Sequence, residues 1–291
     1  MKIKDILKEE KLSLSFEVFP PKIDANFDSV KSAIREIAEL KPKFISVTYG
    51  AGGGTSKYTL EIAKAIKEKS GVPSLAHLTC VSSSRATVLD RIKEIKDAGI
   101  ENVMALRGDI PPHLLGADRS NWDYKHAIEL VEDLKRMGDF CIGGACYPEV
   151  HPESANRADD ITHLKEKVDA GCEFLVTQMF FDNKLFYDFL AEIKKAGINV
   201  PVIPGIMPIT NAVQVVRAKE LSGSYIPEDL NKLVEKFGAY PDAMMQAGIS
   251  FTIKQIINLY ANGITHVHVY TMNKPEVARK IMEGLSDILG K

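Results

Sequence analysis

A glutamate between apolar residues, in the segment SFEVFPP, is the first group in this 291-residue chain placed to move a proton. In an extended segment, alternation puts Glu17 on one face with Ser15 and Phe19, and it points inward if Phe16 and Val18 point outward. Apolar neighbours hold a carboxyl protonated by desolvation, which suits a general acid. A glutamate buried against a cation inside the fold would fit the same residues. Asp109 follows Arg107 and Gly108, where a carboxylate can serve as a functional anion, a loop cap or half of an ion pair. His77, His151 and His268 lack HxxxH or facial-triad spacing, so they read as hydrogen-bonding groups and not as metal ligands. Cys80, Cys141, Cys146 and Cys172 form no CxxC pair and read as small buried hydrophobes in a reducing compartment.

Two further motifs fail their tests. The run GAGGGT (50–55) follows a strand and opens a helix, but Thr55 replaces the third small residue of a dinucleotide fingerprint. No ribose-binding acid ends the next strand, so the run reads as a tight βα turn. No lysine at a strand end suggests a Schiff base, and no GxSxG marks a nucleophile elbow.

The elements that must position these groups alternate along the chain. Strands are expected at 12–19, 44–49, 73–80, 102–108, 140–147, 174–180, 200–206 and 265–271, with helices at 27–40, 56–70, 85–99 and 275–289 among those between and after them. Gly follows the last helical turn in DAGIENV, DAGCEFL, KAGINVP and ANGITHV, where a left-handed exit residue is needed. Eight apolar strands alternating with helices, with no break in composition, predict one closed (β/α)8 barrel over residues 1–291. The stretch 207–263 is too long for one unit and predicts extra helices between the seventh and eighth strands.

A barrel of this kind works at the C-terminal ends of its strands. Those ends deliver Glu17, Thr48, His77, Arg107, Asp109, Tyr147, His151, Gln178 and Tyr270 to one mouth, a set suited to a large polar-aromatic ligand. Charge argues against a polyanion: 37 Lys and Arg face 39 Asp and Glu, a net −2, so no bulk basic field draws nucleic acid or anionic membrane. Composition, 45% hydrophobic and 26% charged, is that of a globular chain. No apolar run is long enough to span a bilayer, and acidic residues occupy the place of a signal-peptide core, so a cytoplasmic protein is expected.

With SFEVFPPK, SVTYGAGG, HLTC, ALRGD, CYPEVHPE, KVDAG, TQMFFD, PGIMPITN and HVYTMNK in this order, the chain closely resembles the methylenetetrahydrofolate reductase family. The resemblance implies an FAD-dependent barrel that reduces 5,10-methylenetetrahydrofolate to 5-methyltetrahydrofolate in one-carbon metabolism, with NADH or NADPH as reductant. It implies that Glu17 is the general acid for the folate N10 and that Asp109 lies beside the flavin N1/C2 edge and tunes its potential. Flavin contacts carry over to Thr48, His77, Leu106, Arg107, Gly108, Asp109, Tyr124, Ala145, Tyr147, His151, Asp160 and Lys167; Arg107 and Lys167 suit the pyrophosphate. Gln178, Tyr270 and Lys274 join Glu17 as substrate contacts.

Two positions depart from the family pattern. Lys274 stands where an arginine is frequent and lacks its fork, and Ala218 stands where some relatives carry a large apolar residue against nicotinamide or folate. The resemblance further implies a homo-oligomer without the C-terminal regulatory domain of eukaryotic relatives. It leaves open a partner subunit as electron source, which would make the chain a flavin- and folate-binding subunit of a larger electron-transfer complex. A proline-dehydrogenase-like FAD barrel acting on a ring amine is the rival enzyme.

Overall fold

The computed structural model describes residues 1–21, 26–49 and 56–290. Nine parallel strands form one sheet in the order β7-β6-β5-β4-β3-β2-β1-β9-β8. They are β1 (Ser13–Val18), β2 (Ile45–Val47), β3 (Ser74–Thr79), β4 (Asn102–Leu106), β5 (Cys141–Cys146), β6 (Phe174–Thr177), β7 (Val202–Ile203), β8 (Gly205–Ile206) and β9 (His266–Tyr270). The expected seventh strand is therefore two short ones. Pro204 lacks the N–H that a continuous ladder needs, so β7 pairs with β6 while β8 pairs with β9. The two halves share one stave of an eight-stave barrel, as the alternation predicts.

Helices cover the outside. After a one-turn α1 (Ile3–Ile6) come α2 (Phe27–Glu39), α3 (Ser56–Ser70), α4 (Arg85–Asp97), α5 (Ala127–Met137), α6 (Arg157–Asp169) and α7 (Asn183–Lys195). The long interval before β9 holds three helices where one unit needs one, as its length predicts: α8 (Ala212–Ser222), α9 (Glu228–Phe237) and α10 (Pro241–Ala261). The expected terminal helix breaks at Leu285 into α11 (Pro275–Gly284) and α12 (Ser286–Leu289). Local chemistry sets several starts: Ser84, Asn156, Asp182 and Asn211 each accept a first-turn amide with the side chain. All four exit glycines have positive φ. Gly99, Gly197 and Gly263 lie at +68°, +78° and +86°, whereas Gly171, at +135°, leaves its helix by a wider turn. The Gly50–Thr55 turn falls outside the described residues.

Alternation along the strands divides the apolar residues into two shells. Phe16, Val18, Val47, Ala76, Leu78, Val103 and Ala105 point outward into the layer beneath the helices. Inside the barrel, Phe44, Leu75, Met104, Cys141, Phe174, Val176 and Ile203 pack together, and Ile3 and Ile6 of α1 join them as a plug. The four cysteines are buried and unpaired, as expected. No helix among the described residues is long and apolar enough to cross a membrane.

The extra helices are clamped to the barrel at Gly248, which lets α10 approach the loop after β8. A Cβ there would overlap the Ile209 carbonyl. Gly248→Ala should therefore cost about 1–3 kcal/mol, visible as a thermal midpoint several degrees lower.

Candidate active site

Glu17 ends β1 with its carboxyl inside the barrel, because Phe16 and Val18 are taken by the outer core. Its Oε2 accepts from Ser46 Oγ at 3.3 Å. The same oxygen lies 3.6 Å from His77 Nε2 and 3.9 Å from His268 Nε2. Burial raises the Glu17 pKa, with His77 and the Ser46 hydrogen bond opposing it. Burial also pushes His77 down to about 4 and His268 down to about 3. Burial favours the uncharged form of all three groups, raising the carboxyl and lowering the imidazoles. Among the described residues, the ion-pair partners within 4 Å of the Glu17 carboxyl are these two histidines and no lysine or arginine.

Backbone clamps fix this carboxyl. Thr271 Oγ1 donates to the Glu17 carbonyl at 2.7 Å. Asn273 accepts from Phe19 N at 2.8 Å and donates to Phe19 O at 2.9 Å. Met272 and Asn273 both take φ +54°, a left-handed pair that turns the Asn273 amide onto the end of β1.

Across the mouth, β4 runs into Arg107-Gly108-Asp109. Gly108 has φ +89°, and a Cβ there would stand 2.9 Å from Thr79 Cβ, so both conformation and space call for glycine. The Arg107 carbonyl accepts from Cys80 N at 3.1 Å and Val81 N at 2.8 Å, which ties this turn to β3. Its guanidinium forks onto Glu153 at 2.8 and 2.6 Å, with Arg119 at 3.3 Å from the same carboxylate. Hydrogen bonds from Arg107 are the main reason that Glu153 titrates near 2. Asp109 is exposed beside them, and it adds to the burial that pushes Tyr147 up to about 12.

The loop after β5 completes that side. Tyr147 and His151 meet edge to face at 4.6 Å. His151 Nδ1 accepts from Glu153 N at 3.1 Å, which leaves Nε2 to carry the proton of the neutral ring. Asp160 accepts from His151 N at 3.3 Å and Ser154 Oγ at 3.4 Å. Val150, a β-branched residue, sits at φ +96°, a strained geometry that these bonds hold in place. Lys167 Nζ donates to the Ala145 carbonyl at 2.5 Å. Leu106 and Ala145 pack on the inner core from above, and Thr48 is half-buried at the end of β2.

Other expected residues are committed differently. Gln178 turns its carbonyl oxygen onto Met179 N at 2.9 Å. Tyr270 donates to Thr177 O at 2.5 Å, lying across Gly205, where a Cβ would overlap its hydroxyl. Lys274 Nζ donates to Thr210 Oγ1 at 3.1 Å and shares a surface depression with Arg217, Val213 and Met272. Tyr124 is 1% exposed, in the outer core, with its hydroxyl on Asp133 at 2.6 Å, so its side chain is not part of the mouth. Ala218, 2% exposed, faces the core beneath α8. Sequence reasoning overlooked Ser46, Thr271, Asn273, Glu153 and Arg217; the alternating S-L-S-F-E and H-V-H-V-Y segments held the signal for the interior residues.

Comparison with known proteins decides the family. A family model of methylenetetrahydrofolate reductase matches residues 2–286. The chain is 34% identical over 275 residues to a 5,10-methylenetetrahydrofolate reductase of Pectobacterium carotovorum, covering 94% of this chain and 90% of that one.

The chain belongs to the methylenetetrahydrofolate reductase family.

A plant relative, methylenetetrahydrofolate reductase (NADH) 1 of Arabidopsis thaliana, is 34% identical over 298 residues, covering 98% of this chain and 50% of the relative. A Clostridium thermocellum structure described as binding two copies of 5-methyl-5,6,7,8-tetrahydrofolic acid shares the fold. Its TM-score is 0.68 at 16% identity, covering 100% of this chain and 99% of that one.

The buried imidazoles make this family member acid-sensitive. Below the unfolded histidine value of about 6.5 the unfolded chain binds protons that the folded His77, His266 and His268 refuse until about 4, 3 and 3. Stability is therefore fully present above pH 6.5 and lost as pH falls towards 4. The slope should approach about 1.4 kcal/mol per pH unit per histidine. Denaturant melts from pH 7.5 to 4.5 should show this slope, reduced in His266→Asn.

Proposed function

We propose that the chain is a flavin-dependent 5,10-methylenetetrahydrofolate reductase with Glu17 as its acid. The observation that carries this reading is a buried carboxyl, its pKa raised by burial, beside a serine hydroxyl and two histidines at the mouth of a barrel of this family. The donor set on the β4–β6 side suits a flavin dinucleotide. Arg107 and Lys167 supply cations, His151 keeps its Nε2–H for donation because Nδ1 accepts from Glu153 N, and Gly108 and Ala145 leave little side-chain bulk. When bound, FAD supplies the hydride.

The remaining chemistry belongs to the chain. Opening the imidazolidine ring of the substrate requires N10 to leave as an amine, and Glu17 delivers the proton it needs. The neutral state of His77 and His268 keeps that proton on Glu17 until the substrate takes it. Cleavage leaves an N5 iminium, which the hydride converts to the methyl group. Asp109, exposed at the rim, places an anion that disfavours added negative charge nearby and so adjusts the flavin potential. Lys274 and Arg217 offer two cations to the substrate's carboxylate tail. Assembly as a homo-oligomer is part of this reading.

NADH or NADPH and folate would use one pocket in turn, which gives ping-pong kinetics. A second reading, with electrons delivered by a partner subunit, draws support from α8. Ala218 turns into the core and offers nicotinamide no platform, while Val213 and Val216 are exposed.

Anaerobic titration followed by flavin absorbance tests both. Bleaching by NADH or NADPH and recovery with methylenetetrahydrofolate is the outcome expected of a self-sufficient reductase; recovery by folate only after chemical reduction, with no bleaching by either nucleotide, points to the partner subunit. Protein that takes up no FAD overturns the flavoenzyme reading. Glu17→Gln should slow reoxidation by folate by about 10²–10⁴-fold while flavin reduction proceeds at the normal rate. Asp109→Asn should raise the flavin potential and alter folate turnover, as potentiometry and stopped-flow would show.

A further inference from the structure

Behind Glu17 an unbroken row of hydrogen bonds runs down the barrel axis. Ser46 Oγ lies 3.0 Å from His268 Nε2, and His268 Nδ1 lies 2.6 Å from Ser15 Oγ. Ser15 Oγ lies 3.0 Å from His266 Nε2, and His266 Nδ1 lies 2.6 Å from Ser13 Oγ. Phe44 stacks on both imidazoles, at 5.2 Å and 12° to His266 and 5.4 Å and 16° to His268, so the rings are held near one plane. The middle of the row is sealed, with Ser15 at 0% and His268 at 1% exposure, while Ser13 at the far end is 7% exposed.

The distances alternate, short and long, in the pattern that one order of protons would give, although the Ser15 hydroxyl also lies 3.4 Å from the Val267 carbonyl. Hydroxyl donors make short bonds and N–H donors make bonds near 2.9–3.0 Å. Both short contacts join a serine hydroxyl to Nδ1, and both long ones join Nε2 to a serine oxygen. The row therefore runs Ser13 O–H to His266 Nδ1, His266 Nε2–H to Ser15, Ser15 O–H to His268 Nδ1, His268 Nε2–H to Ser46, and Ser46 O–H to Glu17 Oε2. Five protons fill five contacts, and every dipole points at Glu17. The reverse order would leave the Ser13 hydroxyl only the Thr265 carbonyl, at 3.5 Å.

We propose that Ser13, His266, Ser15 and His268 form a one-way hydrogen-bond relay, with both rings in the Nε2–H tautomer, that stabilises the Glu17 carboxylate left after proton donation. They are positioning residues, acting through Ser46, and the proposal rests on the reading of Glu17 as the acid. A row of neutral donors that polarise one another strengthens the last bond to a developing anion. It does so without placing a cation beside Glu17, which would strip the proton from the resting acid. The relay thus resolves a conflict between holding a proton at rest and giving it up in the transition state.

Nitrogen-15 NMR of histidine-labelled protein should show both His266 and His268 as Nε2–H tautomers. Infrared titration of the carboxyl band that Glu17→Gln abolishes should show that band moving up by roughly 0.5–1 pH unit in Ser15→Ala, and less in Ser13→Ala. Neither serine touches Glu17. The charged and titratable groups facing the carboxyl, His77 on β3 and His268 and Tyr270 on β9, remain in both variants. Ser13→Ala, at the far end of the row, serves if Ser15→Ala fails to fold. In turnover, Ser15→Ala should lower kcat severalfold with KM for folate unchanged. Rings in the Nδ1–H form, or a Glu17 band that titrates alike in wild type and the folded variants, overturn the relay. These spectra need no folate: relay signatures without folate reduction refute the reductase reading alone, and folate reduction without them refutes the relay alone.

Discussion

Exclusion of water from the barrel axis is the constraint on which the active site depends. With the apolar plug of Ile3, Ile6 and Phe44 below it, the polar side of the interior has no solvent to support charge. The Glu17 carboxyl is shifted up and the three imidazoles down for a common reason, burial. An acid that must stay protonated at neutral pH needs no special partner in such a place. It needs partners that stay neutral, and hydroxyls and imidazoles qualify where lysine or arginine would not.

The mouth divides the work by solvent access. On the β1, β2 and β9 side the groups are buried and neutral; on the β4 and β5 side they are exposed and charged, with Arg107, Asp109, Glu153 and Arg119 close together. The split follows the chain. Strands β1 and β9 carry Ser, Glu and His at their inward positions, whereas the polar groups opposite lie in the loops after β4 and β5, beyond the sheet's shelter. Buried, uncharged-favouring groups and charged loop groups thus share one opening.

Much of this was legible in the residues. Periodicity locates every stave, and the length of 207–263 foretells α8, α9 and α10. Alternation aims Glu17 inward as soon as Phe16 and Val18 are known to face out. Other features depend on distances that no local pattern encodes. Pro204 divides a stave because its two halves pair with different neighbours, a fact of closure. Asn273 grips Phe19 from 254 residues away, and Tyr124, expected from the resemblance beside the flavin, turns its hydroxyl to a buried aspartate. The seryl and histidyl residues behind Glu17 each look like ordinary core polar groups until the register of β1 against β9 sets Ser15 beside His268.

The pairing of Arg107 with Glu153 shapes what the rim can hold. Its guanidinium fork is already filled by a carboxylate that Arg119 also touches. An incoming anion must displace that carboxylate, so its gain is the difference between two ion pairs and not the whole of one. For a singly charged competitor such as chloride or acetate the difference is close to nothing. Only a ligand with charge enough to face both arginines at once, as a diphosphate has, would gain more than it displaces.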